Sequence, residues 1–155
     1  MPIDVWTLID RDHRELENVL DQLVEKPDRN LVDAARIGFA AHVEAEGKAL
    51  LALFAQNPPP HIAALFTELA AAHRAQERAL VRLINSPPGE WSARAQILRD
   101  MIHQHNEYER TWCLPVVRAR VPPEDFGKLV ATYATERLRA LALTWPLAEV
   151  ASARA

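Results

Sequence analysis

Residues 102–109, IHQHNEYE, interleave two copies of one spacing, His103 with Glu107 and His105 with Glu109. Residues four apart share a helix face one turn above each other, so each pair sets an imidazole beside a carboxylate. The two histidines are two apart and point to roughly opposite sides of a helix. The same His-x-x-x-Glu spacing recurs at His13/Glu17, His42/Glu46 and His73/Glu77. Imidazole and carboxylate donors without thiolate suit iron, manganese or zinc. They can also satisfy one another by hydrogen bonds and ion pairs.

The elements that must carry these residues are marked out by proline. Pro27, Pro58-Pro59-Pro60, Pro87-Pro88 and Pro122-Pro123 divide the chain into five stretches, each long enough for a helix. Asn30 with Asp33 resembles a capping box, and Glu124 and Asp125 suit the first turn after Pro123. No stretch alternates with the period of two that a strand requires. The apolar stripes include Trp6, Ile9, Leu16, Leu20 and Leu23 around His13; Leu31, Ala35 and Ala49 around His42 and Glu46; Ile62, Phe66, Leu69, Leu80 and Ile84 around His73 and Glu77; and Trp91, Ala95, Leu98, Ile102, Trp112 and Val116 around His105 and Glu109. Every stripe is apolar at its ends and polar in the middle. His105 and Glu109 therefore face inward, while His103 and Glu107 lie on a solvated face.

These stretches predict an all-α fold, an antiparallel up-down-up-down four-helix bundle over residues 1–121. Residues 122–155 form an additional C-terminal helix, with Phe126, Leu129, Val130 and Tyr133 available to pack on the bundle or a partner. At about 1.5 Å per residue, His13, His42, His73 and His105 fall near mid-height, within a turn or two of each other. A buried carboxylate or imidazole without a partner costs on the order of several kcal/mol, so such a layer must be satisfied. More than four ligands exceeds a tetrahedral zinc site and fits two octahedral-type metals bridged by carboxylates.

His13, HVEAE at 42–46, His73, and HNEYE at 105–109 followed by Pro115 make the chain resemble a hemerythrin-like (HHE cation-binding) domain from residue 4 to about 120. The resemblance implies a non-haem di-iron site with His13, His42, His73 and His105 as ligands and Glu46 and Glu109 as bridging carboxylates. Oxygen-carrying hemerythrins have a second histidine where this chain has Glu77. An anionic donor there favours the ferric state over reversible O2 binding. Glu77 is thus a candidate ligand, or a proton acceptor beside an open position. Glu17 matches no ligand position and reads as surface. Tyr108 and Trp112 read as core aromatics near the site. Gly47 permits close approach of a helix, or else weakens its own. Pro115 kinks or ends the fourth helix.

Composition narrows the remaining classes. The net charge of −3, with acids and bases interspersed, excludes a basic nucleic-acid surface. One cysteine, Cys113, allows no intrachain disulfide or thiolate cluster, and it reads as a small semi-buried side chain. The N-terminal residues lack a signal layout, and the longest apolar run is too short for a bilayer, so a cytoplasmic protein is expected. The expected function is to bind or sense O2, NO or peroxide, or to handle iron in stress defence, with redox turnover left open. A protein partner or a homodimer is compatible with the free face of the last helix. Two alternatives stand beside this: a zinc or manganese site, and a metal-free interaction bundle whose ion-paired core layer sets helix register.

Overall fold

The computed structural model describes residues 3–54 and 57–152, with backbone alone for 51–54 and 145–152. Every regular element among them is helical: α1 (Val5–Glu25), α2 (Arg29–Phe54), α3 (Pro60–Ile84), α4 (Trp91–Tyr108), α5 (Leu114–Arg120) and α6 (Phe126–Ser152). Single 3-10 turns precede α4 and α6, and a π-helical turn, Glu109–Cys113, joins α4 to α5. No described helix is long and apolar enough to cross a membrane.

The joints follow from local chemistry. Asp4 caps α1 by accepting from the Trp6 amide at 3.2 Å, and Lys26 leaves the helix in extended conformation before Pro27. The cap of α2 is Asp28, not Asn30: its carboxylate accepts from the Asn30 amide at 2.7 Å. Asp33 instead meets Arg29 and Arg36 on the surface. Pro60 opens α3 at the position where its missing N–H is of no consequence.

Pro115 does not end its helix, because helical backbone continues through the π turn into α5. Lacking an N–H, it cannot donate to the carbonyl four residues back. The turn before it widens, and the Leu114 amide bonds the Glu109 carbonyl five residues earlier. The wider turn rotates the residues beyond it about the helix axis. Cys113 and Val117 become the buried residues beyond Glu109, and Trp112 stands 61% exposed instead of packing in the core. Gly47 is also not a close-approach site, because a Cβ there would meet nothing within 4 Å.

Two apolar clusters form the core. One gathers Val5, Ile9, Ala49, Leu69, Cys113 and Val117 with Leu129 and Tyr133 of α6. The other gathers Leu16, Leu20, Leu23, Val32, Phe39, Leu80, Leu83, Trp91, Leu98 and Ile102. Each fully buried leucine or isoleucine contributes roughly 1.5–3 kcal/mol. Along α1 and α3 the first cluster precedes the second, and along α2 and α4 the order reverses. Helix α1 packs on α2 and α4, α3 packs on α4 and α2, and α6 lies against α2 and α1. Leu129 and the wholly buried Tyr133 bring α6 into the first cluster, so its inner face is covered by this chain.

Candidate metal centre

Between the two clusters lies a polar layer. Asp12, His13, His42, Glu46, Gln76, His105, Asn106 and Glu109 are all buried, and His73 is nearly so. Helices α1, α2, α3 and α4 and the π-helical turn after α4 supply them, because each stripe interrupts its apolar series at the same level. The Nε2 atoms meet in pairs, His13 with His42 at 3.0 Å and His73 with His105 at 3.1 Å. The carboxylates stand between the pairs. Glu46 presents Oε2 to His42 at 3.0 Å and Oε1 to His73 at 3.8 Å. Glu109 Oε2 lies 3.4 Å from His13 Nε2 and 3.8 Å from His105 Nε2.

The donors fit metal. Ligands at right angles, about 2.1 Å from one ion, stand roughly 3.0 Å apart, which is the separation within each imidazole pair. Another division of the same atoms is also compact. Single donor atoms of His13, Glu46, His105 and Glu109 lie within 4.8 Å of one another, as do those of His42, Glu46 and His73. Glu46 is shared in either division. Glu46 Oε2 and both Glu109 oxygens have no hydrogen-bond partner among the described residues. Fully buried carboxylate oxygens left this way are expensive, and a cation between the pairs would satisfy them.

The electrostatics of the layer point the same way. Burial, then the neighbouring His42, pushes His13 down to about 2, against an opposing pull from Glu46. Burial likewise lowers His73 and takes His105 down to about 4. Burial thus disfavours the charged form of His13, His73 and His105, and the neutral form is the one that binds metal. Burial raises Glu46, but the surrounding His42, His73 and His105 outweigh it and hold the carboxyl below its usual range. Glu109 is raised well above its usual range by burial and then by the Glu46 charge. Two adjacent buried carboxyls do not both ionise without a counter-charge.

A further set of residues orients the layer. Tyr133 donates to Asp12 Oδ2 at 2.7 Å, and its hydroxyl lies 3.1 Å from His42 Nδ1. With its proton committed to Asp12, the hydroxyl oxygen accepts from Nδ1–H and leaves Nε2 bare toward the centre. Arg137 closes the series by donating Nε–H to both Asp12 oxygens at 2.9 and 2.8 Å. Burial, then Asp12, raises the Tyr133 hydroxyl and keeps its proton in place. None of Asp12, Tyr133 and Arg137 stood out in the sequence as a site residue. The available signals were a carboxylate adjoining His13 and a tyrosine on the inner stripe of α6.

The layer contains His13, His42, Glu46, His73, His105 and Glu109. It does not contain Glu77, which is exposed. On α3 the inward series continues through Leu69, His73, Gln76, Leu80 and Leu83. Glu77 follows Gln76 by one residue, a rotation of about 100° that carries it off this face. His103 and Glu107 are exposed as expected from their face. Glu17 is half-buried rather than free on the surface, accepting from Asn106 Nδ2 at 2.6 Å and lying 3.5 Å from His103. Tyr108 is half-buried and lines a cleft between α3 and α4. Compared with known proteins, the chain matches no protein-family model, no curated protein and no solved structure.

Proposed function

We propose that this chain is a non-haem di-metal protein, with iron as its metal, that binds or senses O2, NO or peroxide or handles iron in stress defence. One observation carries the reading. Two imidazole pairs, with Nε2 separations of 3.0 and 3.1 Å, flank two buried carboxylates. The reversal of cluster order from helix to helix supports an antiparallel four-helix bundle. The interior donor set then supports the hemerythrin-like resemblance of the sequence.

In this reading the Nε2 atoms of His13, His42, His73 and His105 and the carboxylates of Glu46 and Glu109 hold the ions. Iron held there would supply ligand binding and one-electron redox chemistry. The chain's own residues do the rest. Tyr133 and Asp12 fix the tautomer and orientation of His42, as the outer partners of metal-bound histidines do. The apolar clusters above and below cover the layer on those two sides. With Glu77 outside, α3 contributes His73 alone, a donor set short of saturating two six-coordinate ions. That supports binding of an external ligand over a purely structural role.

A zinc or manganese centre is the second reading: imidazole donors also suit zinc, and hard carboxylate donors suit manganese. The ligand count weighs against zinc. The deciding experiment is elemental analysis of protein purified anaerobically without chelator, followed by an absorption spectrum on admitting air. About two irons per chain and a new charge-transfer band are expected for a paired carboxylate-bridged site. Zinc or manganese at the same stoichiometry would replace iron in the reading. A chain that takes up no metal would leave a metal-free interaction bundle.

A further inference from the structure

A cleft of about 250 Å³ opens between α3 and α4 and is lined in part by Ala72, Gln76, Met101, His105 and Tyr108. It reaches the polar layer at His105, beside His73. Gln76, 3% exposed, forms part of its wall, and its Nε2 has no hydrogen-bond partner among the described residues. A buried amide donor without a partner is destabilising, and an apolar side chain of the same shape would not be. Gln76 also occupies the turn after His73, where α3 supplies no second carboxylate or imidazole. An amide nitrogen has no lone pair to give a metal, so Nε2 can act only by donating.

Resting on the di-metal reading, we propose that this cleft admits a small external ligand and that Gln76 positions it by donating Nε2–H. The ligand class is a molecule of two or three heavy atoms whose outer atom accepts a hydrogen bond. Ala72 and Ala75 line the cleft with small side chains that leave room for such a molecule. Gln76 is thus a positioning residue that selects for acceptor ligands, a role invisible in the His-x-x-x-Glu pattern.

The test uses azide on the iron-loaded full chain, read by titration and by the infrared azide stretch, with melting of the metal-free chain as a separate readout. Gln76→Met keeps the volume and removes the donor. Its azide affinity should fall about tenfold or more, as for a lost hydrogen bond to a charged group, and the stretch should shift. The metal-free variant should melt no lower than the parent chain. Ala72→Phe should slow azide association while iron content stays unchanged. Parent chain that holds iron, with azide affinity and stretch unaltered by Gln76→Met, would overturn the inference alone. Parent chain that binds no iron would overturn the di-metal reading and this inference with it.

Discussion

The Tyr133 hydroxyl lies 3.1 Å from Nδ1 of His42, tying the last helix to the polar layer. Because Tyr133 also donates to Asp12 at 2.7 Å, the imidazole is held in one tautomer by a residue of α6. Tyr133→Phe strands His42 Nδ1–H in a buried site. Metal affinity should fall by about 10- to 100-fold, the usual effect of losing an outer partner. Chelator competition measures it. Thermal melting should show a loss of about 1–3 kcal/mol for the unpartnered group. Unchanged metal affinity would mean that the tyrosine only packs.

Face assignment makes a sharper contrast. His42→Ala and His105→Ala should abolish metal binding and lower the melting temperature of the metal-loaded chain, since metal binding stabilises the folded state. His103→Ala and Glu77→Ala, at exposed positions, should retain full metal content. Metal lost from either of the latter two would contradict the inward face drawn for α4 or α3.

The metal-free chain should be sensitive to acid. His13, His73 and His105 have depressed values in the folded state. Below the unfolded value near 6.5 the unfolded chain binds protons that the folded chain refuses. Stability present above pH 6.5 is then lost as pH falls toward about 4 for His105 and about 2 for His13. Each group contributes roughly 1.4 kcal/mol per pH unit inside its window. Glu109, raised in the folded state, acts in the opposite sense: its stability is present below 4.5 and lost as pH rises through its folded value. Glu109→Gln mimics the protonated carboxyl, so the metal-free variant should be more stable than the parent near neutral pH while failing to hold metal. Urea melts between pH 4 and 8, on chelator-treated protein, read both effects.

Cys113 should be inert in the native state. It is 1% exposed, and burial together with the Glu109 and Glu46 charges pushes its thiol up to about 12. A thiol reagent at pH 8 should label the chain only after denaturation. Rapid native labelling would show that the region around the π-helical turn opens readily.

Gly47 offers a stabilising change. It lies inside α2 with open space where a Cβ would go. Gly47→Ala should raise stability by about 0.5–1 kcal/mol through the unfolded chain's lost freedom. A melting temperature that falls would imply a closer neighbour than the fold provides.

Some of this was legible at the level of spacing. His105 and Glu109 share a stripe with Ile102 and Leu98, while His103 shares its face with Arg99 and Arg110, so burial could be assigned from periodicity alone. Gln76 and Glu77 resisted the same reasoning. Both three- and four-residue steps are regular on a helix, and His73 can lead to either. Trp112 falls off its stripe because unbroken α-helical periodicity does not hold there. The missing N–H of Pro115 widens the turn and moves Cys113 into that place.

What the sequence determined by itself was the helical class, the proline-marked joints and the interruption of four apolar stripes by histidine and glutamate. These are local properties, set by propensity and by residues within one or two turns. Only the tertiary structure decided which atoms meet. The 3.0 Å approach of His13 to His42, the placement of Glu46 between the imidazole pairs and the reach of Tyr133 across 91 residues to His42 depend on helix rotation and packing. A stripe specifies a face to within a residue, whereas a ligand cage requires ångström placement that comes only from how the clusters on either side lock the helices together.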